Sequence, residues 1–340
     1  MINPGSRIAV LNDNAPSNRV ALLMAGGDGT RLQELTRKIA GVPIPKQYCR
    51  LLNNSSLLEA TLARTQLFTP PDRISVIINR NHIDLAMEQV NILPRPNILV
   101  QPQNRDTGPG MIFSLLHLEQ THPDAIVAVF PTDHFIDDDR AFIAHTLRAV
   151  NTIASTPDKI AVLGIKPDRP EPGYGYILPD SPVESTERAF HVKAFREKPS
   201  IPDAHNIISF GGLWNTFVMV FKLRRMLDLL SEIVPRELNI LSELRESPHN
   251  AAKLYQSISS WNFSTRVLAQ IPQHLIMLEV ADVRWCDWGT PESIERTFSA
   301  LNLVPGWNLS GSAANSIPSS KGMILAKAAA AGAANELGVA

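Results

Sequence analysis

Short apolar runs that alternate with amphipathic stretches constrain this chain more than any other feature. The runs at residues 20–25, 74–78, 97–100, 125–130 and 159–164 are each four to six residues long. That length suits strands buried on both faces, and the intervening stretches suit helices that connect parallel neighbours. The spacing predicts helices over 55–68, 82–90, 107–120 and 142–153, the first with Leu57, Leu58, Leu62 and Leu67 largely on one face. The expected class is α/β, with a mixed and mostly parallel sheet flanked by helices. No internal repeat is seen.

Beyond residue 165 the pattern changes. Prolines and glycines crowd 167–182, and shorter apolar runs follow at 189–195 and 213–221. This predicts a mixed or antiparallel extension covering one side of the first sheet. Helices are expected at 222–232 and 235–257, and a strand at 274–280. The implied division is an N-terminal extension at 1–18, a main domain at 19–300 with its halves meeting near 165, and a tail at 301–340. The tail is rich in Ala, Ser and Gly, a composition of frayed helix or disorder, and it is assigned no chemistry.

Charge and cysteine content exclude several function classes. Lys plus Arg (32) almost balance Asp plus Glu (33), for a formal net charge of -1. With no long basic run, neither a nucleic-acid footprint nor an anionic-membrane patch is expected. A phosphorylated ligand would be held by a few local cations instead. Cys49 and Cys286 lie far apart without metal-ligand spacing, which argues against a disulfide framework or a zinc site and fits a reducing cytoplasm. The first 18 residues lack the apolar core of about 7–15 residues that a signal peptide needs. No apolar run is long enough to cross a bilayer. The histidines show no H-x-x-x-H spacing, and His134 is expected to be structural.

The chemistry-bearing segment is Ala25-Gly26-Gly27-Asp28-Gly29-Thr30-Arg31-Leu32, directly after the first strand. Glycines there let the backbone turn tightly and bring N–H groups against phosphate oxygens, and Arg31 adds a fork-shaped cation. A Walker A loop needs G-x-x-x-x-G-K-[ST], which is absent. The dinucleotide fingerprint fails because Leu32 stands in place of its third glycine. Taken alone, the segment reads equally well as a plain strand-to-helix turn. In Pro43-Ile44-Pro45-Lys46-Gln47, two prolines stiffen the chain before a lysine, which suits a cation held at a fixed position.

From Gly26 through Arg31 to Lys46-Gln47, the chain resembles the sugar-1-phosphate nucleotidyltransferases, particularly the mannose-1-phosphate guanylyltransferases. Gln101-Pro102-Gln103-Asn104-Arg105-Asp106-Thr107-Gly108-Pro109 resembles the family's E-P-x-x-R-N-T-A-P element, and Pro131-Thr132-Asp133-His134 its P-S/A-D-H element. Gly173-Tyr174-Gly175-Tyr176-Ile177 is similar to G-Y-G-Y-I, and Phe195-Arg196-Glu197-Lys198-Pro199 to F-x-E-K-P. Trp214-Asn215 and Trp285-Cys286-Asp287-Trp288-Gly289 complete the series. The resemblance spans roughly residues 20 to 295, with its elements in the family's order.

It implies a Rossmann-like fold of the nucleotide-diphospho-sugar transferase type, with a smaller C-terminal extension. It also implies an enzyme that couples a sugar 1-phosphate to a nucleoside triphosphate. GTP and mannose 1-phosphate are the favoured pair, and Mg²⁺ is the cofactor. By the resemblance, Arg31, Lys46, Asp133 and Asp287 are catalytic, and the two aspartates hold the metal. Ala25, Gly26, Gly27, Gly29, Thr30, Arg31, Gln101, Arg105 and Thr107 would meet the nucleotide. Tyr174, Gly175, Glu197, Lys198 and Asn215 would meet the sugar phosphate.

The chain departs from the family pattern at identifiable points. Gln101 replaces the common Glu and Asp106 the usual Asn, both in the element expected to meet the base. W-N-S-G-M-F becomes Trp214-Asn215-Thr216-Phe217-Val218, which loses a glycine near the sugar. Ser259-Ser260-Trp261-Asn262-Phe263-Ser264 stands in place of I-D-Y-x-V-M-E, another sugar-side segment. Two alternatives therefore stand beside the guanylyltransferase reading. One is the same chemistry with UTP or dTTP and another hexose 1-phosphate, and the other is a non-catalytic nucleotide-sugar sensor. Nothing in the sequence decides between a monomer and a homo-oligomer.

Overall fold

In the computed structural model, residues 15–307 are described, apart from 53, 54, 185, 247–250 and 306. Most of the expected 1–18 extension and of the 301–340 tail lies outside the described residues. The strands β1 (Arg19–Ala25), β2 (Ile74–Asn79), β3 (Ile98–Gln101) and β4 (Ile126–Pro131) run parallel, with β1 between β2 and β4. They are joined by α1 (Gln33–Ala40), α2 (Leu57–Thr65), α3 (Ile83–Gln89) and α4 (Thr107–Thr121). After the short β5 (Phe135–Ile136), α5 (Asp139–Ser155) leads to β6 (Ile160–Ile165). α2 begins later than the leucine pattern suggests, because Ser56 and Glu59 form a reciprocal capping box at its start.

The second half corrects the sequence reading. β7 (Gly175–Pro182), β8 (Ala189–Glu197), β9 (Leu213–Lys222) and β10 (Leu275–Val280) do not cover one side of the first sheet. They continue it, in the order β3-β2-β1-β4-β9-β6-β10-β8-β7. β9 is inserted antiparallel between β4 and β6. Its residues are buried almost throughout, which a cover strand with one wet face would not be. β7 begins in the proline-rich stretch; it pairs with β9 at Tyr176 and Ile177, and Pro179 and Pro182 fall beyond that pairing, where its register with β8 slips. The expected 235–257 helix is α8 (Pro235–Glu246) and α9 (Ala251–Gln256), on either side of residues that are not described.

Four helices were not foreseen: α1, α6 (Ile201–Ser209), α10 (Phe263–Arg266) and α11 (Pro291–Ala300). α7 (Leu223–Ile233) matches its expectation. One apolar core lies under each face of the sheet. Leu58, Leu62, Phe142 and Ala204 bring α2, α5 and α6 to one face. Met111, Met226, Leu241 and Phe263 bring α4, α7, α8 and α10 to the other. A third cluster, with Leu32, Phe135, Trp288 and Phe298, fastens α11 and the β5–β11 ribbon beside the start of α1, where β11 is Trp285–Cys286.

The chain leaves β1 for β2 on one side and places β4 on the other. That reversal opens a crevice at the carboxyl ends of the strands, where open α/β sheets bind ligands.

Candidate active site

A cleft of about 620 Å³ occupies that edge. Its first wall is the loop after β1. Gly29 adopts left-handed backbone (φ 58), and a Cβ there would lie 2.8 Å from the Lys46 backbone nitrogen. A Cβ on Gly26 would stand 2.4 Å from Gln101 Nε2. Both glycines are thus demanded by close approach as much as by any ligand. Gly26, Gly27 and Arg31 line the cleft, whereas Ala25, Gly29 and Thr30, expected at the nucleotide, do not. Ala25 instead supplies a carbonyl that accepts from Gln47 Nε2 and from the Tyr48 hydroxyl.

The turn at Lys46–Tyr48 explains that loop's position. All three of its residues are buried. Gln47 Nε2 donates to Gly27 O at 2.7 Å. Lys46, expected to reach substrate, does not line the cleft and is 5% exposed. Its ammonium donates to the carbonyls of Asp287 and of Trp288 (3.1 Å), and lies 3.2 Å from Asp133 Oδ2. It is a strut beneath the two aspartates, because three protein oxygens already take up the three donors of an ammonium.

Asp133 and Asp287 do meet in one cleft. The β5–β11 ribbon brings their segments together, pairing Cys286 with Phe135 and Trp285 with Ile136. Burial alone would raise the Asp133 carboxyl, but the charges of Lys46 and His134 beside it hold it below its ordinary value. Asp287 Oδ1 accepts from Gly289 N at 2.8 Å. His134 also faces the cleft; burial pushes its imidazole down, and Trp285 Nε1 donates to its Nδ1 at 3.2 Å. Among the described residues no group of three or more His, Cys, Asp or Glu side chains could hold a metal ion. Two carboxylates at the centre of a cleft fit Mg²⁺, which takes one or two from protein and completes its shell with phosphate oxygens and water.

Tyr174, Gly175, Glu197 and Asn215, expected at the sugar phosphate, line one end of the cleft. A Cβ on Gly175 would lie 2.7 Å from Glu197 Oε2, so glycine leaves that carboxylate its room. The Tyr174 ring is fixed edge-on to Trp214 and Trp285. Lys198 is outside the cleft lining. Its backbone is left-handed (φ 49), its side chain is 57% exposed, and its Nζ pairs with Glu197 Oε1 at 3.2 Å.

At the other end Gln101 and Thr107 line the cleft and Arg105 does not. Arg105 donates instead to the Gln256 carbonyl. Gln101 is buried, donates to Gly26 O at 3.4 Å and accepts from the Tyr255 hydroxyl at 2.9 Å. Asp106 caps α4, whose first turn opens on the cleft.

Sequence reasoning missed Asp28 and Asn104, which both line the cleft and bond one another. Phe217, Ser260, Asn262 and Ser264 also line it; they lie in the two stretches singled out as departures from the family pattern, though none was named as a site residue. Asp28 sits inside the recognised glycine loop, so an acid there was the available signal.

Residues 20–302 match the family described as Nucleotidyl transferase. The chain is 33% identical over 222 residues to the xanthan biosynthesis protein XanB of Xanthomonas campestris pv. campestris, a match covering 64% of this chain and 45% of that protein. It is 26% identical over 307 residues to a mannose-1-phosphate guanylyltransferase of Escherichia coli, covering 84% of this chain and 64% of the relative. It therefore spans less than two thirds of the length of either. A solved structure described as a mannose-1-phosphate geranyltransferase from Thermus thermophilus has a TM-score of 0.73 at 27% identity. That match covers 83% of this chain and 79% of the other. Among the described residues, no helix is long and apolar enough to cross a membrane.

Proposed function

This chain belongs to the nucleotidyl transferase family, and from that premise we propose that it couples a sugar 1-phosphate to a nucleoside triphosphate and releases pyrophosphate. Mannose 1-phosphate and GTP are the favoured substrates. The observation that carries the reading is the meeting of Asp133 and Asp287 in one cleft, between a glycine loop at one end and Glu197 and Asn215 at the other.

The chemistry asks for positioning more than for an activated side chain. A phosphate monoester loses its second proton near pH 6, so at pH 7 a sugar 1-phosphate is mostly dianionic and needs no general base. Its oxygen attacks the α-phosphorus in line, and pyrophosphate leaves. The obstacle is repulsion between the substrates, about 4 kcal/mol per pair of unit charges at 4 Å and an effective dielectric of 20. On the protein side, the backbone of Gly26 and Gly27 and the guanidinium of Arg31, all in the cleft wall, would receive the triphosphate. Glu197 and Asn215 would take sugar hydroxyls and fix the attacking oxygen's direction. Asp133 and Asp287 would hold Mg²⁺, which when bound supplies charge neutralisation on the phosphates.

Gln101 favours one second reading, in which the base is uracil or thymine. A carboxamide offers one acceptor oxygen where a carboxylate offers two, and that of Gln101 already accepts from the Tyr255 hydroxyl. Pyrophosphate release over a matrix of nucleoside triphosphates and sugar 1-phosphates, with Mg²⁺ and with a chelator, tests both readings. Turnover with GTP and mannose 1-phosphate that stops on chelation is the expected result. Silence across the matrix would favour the non-catalytic sensor.

A further inference from the structure

The two stretches that depart from the family pattern near the sugar, 214–218 and 259–264, meet in space. Along β9 the pairing with β6 slips: Val162 faces Met219 while Gly164 faces Asn215, so β9 carries two extra residues. Side chains lock this bulge. Thr216 Oγ1 donates to Leu163 O at 2.7 Å and accepts from Val218 N at 3.2 Å, and Asn215 Oδ1 accepts from Phe217 N at 3.2 Å. Phe217 is held in left-handed backbone at φ 60, which disfavours any residue with a Cβ. In W-N-S-G-M-F this position is the glycine. The chain has kept the backbone that a glycine adopts freely and hung a benzyl group on it. Strained non-glycine residues of this kind persist where their surroundings over-determine them, and they cluster at ligand sites.

The Phe217 ring lines the cleft and stands edge-on to Phe263, with centroids 6.5 Å apart. Phe263 is anchored in turn by its N–H to Thr107 Oγ1 at 2.8 Å. Ser260, Asn262 and Ser264 line the same cleft. An aromatic face beside hydroxyl and amide groups offers an apolar surface for the C–H face of a pyranose and partners for its hydroxyls.

We propose that Phe217 sets the sugar selectivity of the cleft: its ring fills space that a glycine would leave open and excludes sugar 1-phosphates bearing a bulky N-acetyl group. The inference rests on the nucleotidyltransferase reading above and adds to it the part of the sugar that is screened.

The test compares the full chain with Phe217→Gly and Phe217→Ala. Calorimetry gives affinities for mannose 1-phosphate and N-acetylglucosamine 1-phosphate without nucleotide, and steady-state assays give KM for each substrate. In the glycine variant, the affinity ratio is expected to shift about tenfold or more towards the N-acetylated sugar, with nucleotide KM within about twofold of wild type. The glycine variant should also melt above the alanine variant, since alanine keeps the backbone strain and loses the ring. An unchanged sugar ratio, or a change confined to nucleotide KM, overturns the proposal, as does failure of every protein to bind either sugar phosphate. If no pair of substrates yields pyrophosphate, the reaction reading fails by itself, and the sugar affinities still decide the role of Phe217.

Discussion

Asp28 Oδ2 accepts a 2.9 Å hydrogen bond from the side-chain amide of Asn104, across the mouth of the glycine loop. Its other oxygen accepts from Asn79 Nδ2 at 3.2 Å. One carboxylate thus ties the loop after β1 to the ends of β2 and β3. Asp28→Ala and Asn104→Ala should each raise nucleotide KM, with little change in kcat. If the two act as one latch, the double variant should cost no more than the worse single, a coupling of about 1 kcal/mol. Additive losses in steady-state kinetics would show that the two residues act separately.

Lys46 and Asp133 touch, yet their removal should have different consequences. Lys46→Met leaves the carbonyls of Asp287 and Trp288 without their donor. Each buried acceptor so stranded costs about 1–3 kcal/mol, so the variant should melt well below wild type. Because Lys46 does not face the cleft, nucleotide affinity measured in a chelator should stay within about twofold. Asp133→Asn keeps the shape of the side chain and should leave the fold intact while abolishing turnover. A Mg²⁺-dependent rate unchanged in Asp133→Asn would refute the metal assignment. A large loss of chelator-resistant nucleotide binding in Lys46→Met would return the lysine to the substrate.

Stability should fall with acidity before any carboxylate is protonated. Burial pushes His82, His117, His122, His134, His145 and His274 below their ordinary value of 6.5. As pH drops through 6.5 the unfolded chain takes up protons at these positions that the folded chain refuses. The contribution is complete above that value and is lost progressively below it. Denaturant midpoints should therefore decline between about pH 7.5 and pH 5.5. The slope should be shallower in His134→Gln. A flat or rising midpoint over that window would contradict the burial of these rings.

Much of this site was legible in the sequence because the residues that carry charge keep a fixed order and spacing. Asp133, Asp287, Glu197 and Asn215 all line the cleft that the resemblance implied. Spacing names a residue but not the direction of its side chain. Lys46 therefore looked like a substrate cation although it points beneath the acids, and Lys198 looked like a phosphate ligand although it lies outside the cleft. The first-half strands were legible because each is a local apolar run. The place of β9 between β4 and β6 was not, since an apolar run does not say which distant strand it will pair with or in which direction. Phe217 escaped for a related reason: losing a glycine from a pattern does not reveal that the glycine's backbone has been kept.

Gly289 offers a probe of the cleft that removes no charged group. A Cβ at this position would lie 2.6 Å from Asp287 Oδ2, 3.0 Å from Arg31 Nη1 and 3.2 Å from its Nη2. All three atoms belong to side chains, and the backbone of Gly289 is not among the left-handed glycines. Alanine is thus compatible with the local chain path but not with the present positions of the carboxylate and the guanidinium. Gly289→Ala should fold with a melting temperature close to wild type, because flexible side-chain ends can move away. Displacing a reacting-site group by about 1 Å can cost about 10²-fold in rate, so turnover should fall by that order. The loss should appear in kcat, because the added methyl presses on the Asp287 carboxylate and the Arg31 guanidinium, the groups proposed to hold the metal and the triphosphate. Wild-type turnover in Gly289→Ala would mean that Asp287 and Arg31 need not hold these positions during the reaction.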